Sequence, residues 1–465
     1  MNIEFKNVGF SYSNRKEGVL KDINLKIKQG EFVLLVGESG CGKTTITRIL
    51  NGLIPGFYDG KLEGCVSIDG RKISEYKSYE LATMVGSVFQ NPKTQFFNVD
   101  TDSEITFGLE NAGVPQKEIH AVLNKVTEEL GLETLRGRDI FKLSGGEKQK
   151  IAFASVYASG PDLYLMDEPS ANLDTVGVEG LKECLEKIKG EGKTVVIAEH
   201  RLYYLTQLVD RIIYLKDGRI EGEMSGDEFK AMDVASLNQL GLRTNHFFKA
   251  SGKEEKEFKK VISDETISLQ NLSIDYGKRR ILNNLNQDFH KGKVYCVTGR
   301  NGVGKTTLLR TMSGFIKASE GNIVQNGKAL SLKELKKKTF MVMQDVNYQL
   351  FADSVMNECM LGTQMKSEDT AKKVLDEMGL LEFRNLHPNT LSGGQKQRLA
   401  IAVSLMMDKE ILLFDEPTSG LDYNNMRLCA NFLKRLADKG KLIIVVTHDE
   451  EFIDCCGDAP TIVLS

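Results

Sequence analysis

The chain has 465 residues, a formal net charge of −3 and ordinary globular composition with no low-complexity tract. That charge argues against a nucleic-acid partner, and no apolar run reaches the roughly 20 residues that span a bilayer. The eight cysteines form no C-x₂-C pair; adjacent Cys455 and Cys456 suit neither a framework disulfide nor a zinc site.

In chain order, Met1-Asn2-Ile3-Glu4-Phe5 reads as an immediate strand without a signal peptide's basic and apolar regions. The apolar run Phe32-Val33-Leu34-Leu35-Val36 leads into Gly37-Glu38-Ser39-Gly40-Cys41-Gly42-Lys43-Thr44-Thr45. A glycine-rich loop between a strand and a helix turns backbone N–H groups toward phosphates. Its lysine neutralises the β and γ oxygens, and its threonine suits Mg²⁺. Cys41 reads as a small residue filling the loop, although oxidation there could block ATP. Further on, Leu163-Tyr164-Leu165-Met166 looks like a buried parallel strand ending in Asp167-Glu168, and a helical stretch runs from Gly177 to Lys189. Arg211-Ile212-Ile213-Tyr214-Leu215 reads as a last strand, closed by the turn Lys216-Asp217-Gly218. The charged stretch Ser251 to Glu257 reads as an exposed linker, and a new unit starts near Thr266.

The second unit repeats the first. Val294-Tyr295-Cys296-Val297 precedes Gly299-Arg300-Asn301-Gly302-Val303-Gly304-Lys305-Thr306-Thr307, and Ile411-Leu412-Leu413-Phe414 ends in Asp415-Glu416. Lys43 and Lys305 lie 262 positions apart, Gln90 and Gln344 254, and Ser144 and Ser392 248; Asp167 to Asp415 and His200 to His448 are also 248. This is a tandem duplication whose first copy carries extra residues, including Ile54 to Gly60. The expected boundaries are 1–225, a linker over 226–264, and 265–465. Lys336-Lys337-Lys338 reads as a solvated turn.

Two Ser-Gly-Gly segments, Ser144-Gly145-Gly146 and Ser392-Gly393-Gly394, each open an apolar helix. They offer a hydroxyl and bare N–H groups to an anion, or alternatively serve as helix caps. With these segments, Gln90 and Gln344, Asp-Glu-Pro at 167–169 and 415–417, His200 and His448, and Ser170 to Asp174 matched by Thr418 to Asp422, the chain resembles the ATP-binding cassette (ABC) ATPases. The resemblance implies an α/β fold of two tandem P-loop ATPase domains. Each has a mostly parallel sheet core, an antiparallel β part and a helical signature subdomain. It implies ATP and Mg²⁺ as ligands. Glu168 and Glu416 are the expected polarisers of the attacking water, and His200 and His448 the γ-phosphate contacts. Mg²⁺ is expected at Thr44, Gln90 and Asp167, and at Thr306, Gln344 and Asp415. Tyr12 and Tyr276, at near-equal spacing before the P-loop lysines, are expected to face adenine. Head-to-tail assembly would form both ATP sites within one chain, Lys43 facing Ser392 and Lys305 facing Ser144.

After Gln90 comes Asn91-Pro92-Lys93-Thr94-Gln95-Phe96-Phe97, and after Gln344 comes Asp345-Val346-Asn347-Tyr348-Gln349-Leu350-Phe351. This segment, with Ala198-Glu199-His200-Arg201-Leu202, is similar to the ATPase subunits of energy-coupling factor importers. The implied partners are an integral membrane scaffold and a substrate-binding membrane subunit, with the chain peripheral at the cytoplasmic face. Gln95, Phe96, Phe97, Gln349, Leu350 and Phe351 are the expected docking residues. The second copy departs from the pattern: it has Asp345-Val346 for Asn-Pro and nothing matching Phe107-Gly108-Leu109-Glu110-Asn111. Alternative readings are a soluble tandem ATPase acting on ribosomes and an ATPase of another importer class.

Overall fold

The computed structural model describes residues 1–13, 18–247, 265–277, 279–363 and 367–464. Two compact units make up the chain, the first ending at Phe247. The charged stretch at 251–257 lies outside the described residues.

In the first unit the strand Phe32–Gly37 is buried at every position, because side chains leave it toward two apolar layers. Phe32, Leu34 and Val36 join the core under the helical part. Val33 and Leu35 join a second core shared with Ile46, Ile49 and Leu50 of the helix Lys43–Leu50 and with an antiparallel sheet. That sheet runs Leu20–Ile27, Ile3–Tyr12, Gly60–Ile68, Arg71–Lys72. The main sheet runs Arg219–Ser225, Arg211–Lys216, Phe32–Gly37, Thr194–Ala198, Leu163–Asp167, Val85–Val88, parallel except for its first strand.

The second unit repeats the plan. Its main sheet is parallel throughout, in the order Thr339–Val342, Ile411–Asp415, Leu442–Val446, Val294–Thr298, Thr461–Val463. The antiparallel sheet runs Arg279–His290, Thr266–Tyr276, Glu320–Gln325, Lys328–Ala329. Both units thus have the α/β architecture expected of tandem ABC domains.

Two local expectations meet a different arrangement. Residues 226–247 are folded onto the first unit instead of forming a connector. Ser225 and Asp233 cap the helices Gly226–Ala231 and Val234–Gln239, which bury Phe229 and Leu237 in the first core. Asn245 fastens this tail by donating to Phe229 O at 2.6 Å. Lys336 to Lys338 form the last turn of the helix Leu332–Lys338, and Lys338 pairs with Glu410 at 2.9 Å; cations there also suit the negative helix end.

Candidate functional site

Parallel strands deliver their C-terminal ends to one edge, where ligands of open α/β sheets bind. The strand before the P-loop, Phe32–Gly37, neighbours Thr194–Ala198, which leads to His200. Beyond it lies Leu163–Asp167, leading to Glu168, and then Val85–Val88, leading to Gln90. The second unit orders Val294–Thr298, Leu442–Val446, Ile411–Asp415 and Thr339–Val342 the same way. Four motifs far apart in sequence are therefore side by side in each unit.

Each P-loop is a cradle of fixed backbone. Gly37 has φ 143° and Gly299 φ 140°. A Cβ would lie 2.1 Å from Leu215 O at the first and 2.5 Å from Leu464 O at the second, so no side chain fits at either. Lys43 Nζ donates to Gly37 O at 2.8 Å and Glu38 O at 3.0 Å, while Lys305 Nζ donates to Gly299 O at 2.7 Å and Arg300 O at 3.0 Å. Each ammonium is thus folded over the loop that its helix closes. Cys41 is buried, and desolvation pushes its thiol up despite nearby Lys43, so it is a packing group and a poor nucleophile.

Thr44 donates to Asp167 Oδ1 at 3.0 Å, and Thr306 lies beside Asp415 at the matching position. Desolvation raises both aspartates above the usual carboxylate range. Asp167 reaches about 7, with adjacent Glu168 adding to the rise.

The glutamates sit on strained backbone. Glu168 has φ 47° and Glu416 φ 50°, in the left-handed region that costs a side-chain-bearing residue about 1 kcal/mol or more. Their N–H groups donate to Ala198 O at 2.8 Å and Val446 O at 2.9 Å, which holds the turn. Gln90 Nε2 donates to Glu168 Oε2 at 2.7 Å, so Gln90 holds the glutamate besides any role toward Mg²⁺. His200 Nε2 lies 3.4 Å from Glu168 Oε1, is buried, and makes no hydrogen bond. His448 Nε2 lies 3.4 Å from Glu416 Oε1 and 3.1 Å from Asn301 Oδ1 of the P-loop.

Ser144 and Ser392 are N-caps of the 14-residue helices Gly145–Ala158 and Gly393–Met406. Each belongs to a capping box: Ser144 N donates to Glu147 Oε2 at 2.7 Å, and Ser392 N to Gln395 Oε1 at 2.9 Å. The aromatic residues differ between units. Tyr276 is 75% exposed. Tyr12 is half-buried, with its hydroxyl 3.1 Å from Arg48 Nη1 and its ring edge-on to Tyr58 at 6.3 Å. Arg48 also lies 4.2 Å above the Tyr58 ring, so the extra segment of the first copy braces its tyrosine.

The expected docking residues divide. Gln95 and Gln349 turn inward, accepting Phe89 N at 3.3 Å and Met343 N at 3.1 Å. Leu350 is buried in the second core, and Phe96 is half-buried against the first. Only Phe97 and Phe351 stand out, at 76% and 74% exposure. A buried carboxylate presents each: Glu104 Oε2 accepts Phe97 N at 3.0 Å and Asn98 N at 2.8 Å, and Glu358 Oε2 accepts Phe351 N and Ala352 N, both at 2.7 Å. Despite its different flanking sequence, the second copy keeps the first copy's anchor. The sequence alone assigned no role to these glutamates, nor to Arg48, Tyr58 or Glu199; the shared 254-residue spacing of Glu104 and Glu358 was the available signal.

The ABC transporter family model matches residues 20–171 and 282–419, one stretch in each unit. The chain belongs to the ABC transporter family. A candidate ABC transporter ATP-binding protein of Treponema denticola is 46% identical over 454 residues, covering 97% of this chain and 93% of the relative. Another, from Methanosarcina mazei, is 33% identical over 503 residues, covering 97% and 85%. Among solved structures, the archaeal ribosome recycling factor aABCE1, in complex with the ribosomal stalk protein aP1, is similar at a TM-score of 0.63 and 25% identity, over 96% of this chain and 84% of that one. This ABC ATPase binds and hydrolyses ATP with two ABC domains in tandem. Among the described residues, no helix is long and apolar enough to cross a membrane.

Proposed function

We propose that this ATPase is the motor subunit of an energy-coupling factor type importer, docked peripherally on a membrane scaffold that carries a separate solute-binding subunit. The supporting observation is the pair of exposed aromatics, Phe97 and Phe351. Each lies seven positions beyond a glutamine that follows the edge strand of its main sheet, and a buried glutamate accepts its backbone N–H. A large ring fixed in solvent beside a nucleotide sensor suits a partner helix.

Phosphoryl transfer asks for positioning and charge stabilisation, which these residues supply. The P-loop amides and Lys43 or Lys305 receive the phosphates. Glu168 or Glu416 orients and polarises the attacking water, and His200 or His448 meets the γ-phosphate; the unsatisfied Nε2 of His200 supports that role. A threonine hydroxyl 3.0 Å from an aspartate at the end of its strand is a hard oxygen donor set that fits Mg²⁺. When bound, Mg²⁺ supplies charge neutralisation of the phosphate oxygens.

The test is co-purification of the tagged full-length chain from membranes, with Phe97→Ser/Phe351→Ser as comparison. Integral proteins that accompany the native chain and are lost with the variant, at unchanged nucleotide affinity, support docking. Recovery of the same proteins with both chains removes it. The likeness to the ribosome recycling factor favours a second reading, action on ribosomes. Co-sedimentation with ribosomes in the presence of ATP, with no membrane protein recovered, would establish that reading instead.

A further inference from the structure

Glu199 precedes the switch histidine of the first unit and is only 2% exposed. Its Oε1 accepts His200 N at 2.7 Å and Arg201 N at 3.2 Å. Its Oε2 accepts Ser170 N at 3.2 Å and the Tyr204 hydroxyl at 2.9 Å. A carboxylate so deeply buried has no water to replace its donors, so the four bonds are tightly constrained. They join two segments that reach the nucleotide edge: the turn carrying His200, and the loop that begins two residues after Glu168. Arg201 closes the connection from the other side, donating to Leu173 O at 2.9 Å and Ser170 O at 3.4 Å.

The second unit makes the same junction with different atoms. At the matching positions, 248 residues on, Thr447 stands for Glu199, Asp449 for Arg201, Thr418 for Ser170 and Phe452 for Tyr204. The carboxylate has moved to the other side of the histidine. Thr418 Oγ1 donates to Asp449 Oδ2 at 2.9 Å, Asp449 N donates to Thr447 Oγ1 at 3.1 Å, and Phe452 N donates to Asp449 Oδ1 at 3.3 Å. Phe452 has no hydroxyl, and this arrangement needs none. The four differences are one concerted exchange: a buried carboxylate, its hydroxyl donor and the loop residue it holds change together.

We propose that Glu199 is the positioning residue that locks His200 to the loop after Glu168 in the first site, and that Asp449 is its counterpart in the second. The two connections are interchangeable only as whole sets. This inference rests on the reading of His200 as the γ-phosphate contact. Without Glu199 the histidine and the loop lose their common anchor, which misplaces groups at the reacting centre while leaving the P-loop intact.

The experiment is single-turnover ATP hydrolysis by the full chain carrying Glu416→Gln, which leaves the first site to report. Glu199→Thr should lower the rate constant by about tenfold to a hundredfold, with apparent ATP affinity changed less than twofold. Transplanting the second unit's set, Ser170→Thr/Glu199→Thr/Arg201→Asp/Tyr204→Phe, should return the rate to within about threefold of the parent. Tyr204→Phe alone, which removes one donor and little volume, should show a smaller loss and serves if Glu199→Thr does not fold. A fourfold variant that folds yet is no faster than Glu199→Thr overturns the proposal, as does a Glu199→Thr rate within twofold of the parent. His200→Ala separates the two readings: if it leaves the rate unchanged, the role of His200 is wrong. If it slows hydrolysis while Glu199→Thr and Tyr204→Phe do not, only the role of Glu199 is.

Discussion

Gln90 donates its side-chain amide to Glu168 across 2.7 Å, so the proposed water-polarising carboxylate is already aimed by the same glutamine that leads into the exposed Phe97 loop. Any displacement of Gln90 would therefore break the contact that holds Glu168.

Replacing Glu168 or Glu416 by Gln should slow hydrolysis about a hundredfold or more at the altered site, as expected for losing a general base. Nucleotide binding should persist, because neither glutamate contributes to the P-loop cradle. Phosphate release and nucleotide titration on the same preparations check this. Unchanged turnover in Glu168→Gln/Glu416→Gln would exclude both as catalytic.

Tyr12 and Tyr276 should respond differently to truncation. Tyr276 is exposed, so Tyr276→Ala should cost only base stacking, about 1 kcal/mol of nucleotide binding. Tyr12→Phe keeps the ring but removes the contact with Arg48, and should lower stability by about 1 kcal/mol. Titration with a fluorescent ATP analogue and urea unfolding measure the two effects. Equal stability losses for Tyr12→Phe and Tyr276→Phe would show that Arg48 does not brace Tyr12.

Removing Glu104 leaves Phe97 N and Asn98 N without their carboxylate acceptor, which should cost about 1–3 kcal/mol in Glu104→Ala. Glu358→Ala should behave alike through Phe351 N and Ala352 N. Urea midpoints report the loss, and hydrogen exchange at these amides shows whether it is local. Unchanged protection there would mean the glutamates do not fix the loops.

Glu410 supplies a pH test in the second unit. Although desolvation raises its pKa, its bonds with Lys338 and Lys291 prevail and hold it at about 2. The folded pKa lies below the ordinary carboxylate value, so the stabilisation is full above about pH 4.5 and disappears as pH falls toward 2. The difference in urea midpoint between the native chain and Glu410→Gln should therefore narrow on going from pH 7 to pH 4. A difference that widens with acid would reverse the assignment.

Much of this architecture is legible in the residues themselves. Glycine spacing, apolar runs ending in Asp-Glu and a constant offset depend on local pattern, and duplication makes each pattern its own control. Other features depend on contacts that local pattern does not encode. Whether Gln95 faces a partner or accepts Phe89 N is decided by the path of a short 3₁₀ turn. Glu199 looks like any polar residue beside a histidine until Ser170, 29 positions earlier, is brought to it. The tail at 226–247 contributes single apolar anchors such as Phe229 and Leu237, too sparse to show a helical period. Its affiliation with the first unit emerges only from packing.

The left-handed backbone at Glu168 and Glu416 opposes fitness for work to ease of folding. Asparagine tolerates that conformation better and glycine better still, so either substitution should raise the melting temperature of the nucleotide-free chain while abolishing turnover at that position. Stabilising consensus design guided by backbone preference alone would therefore select against the enzyme. A thermostable but inactive chain is the outcome to expect when these two positions are left free to vary.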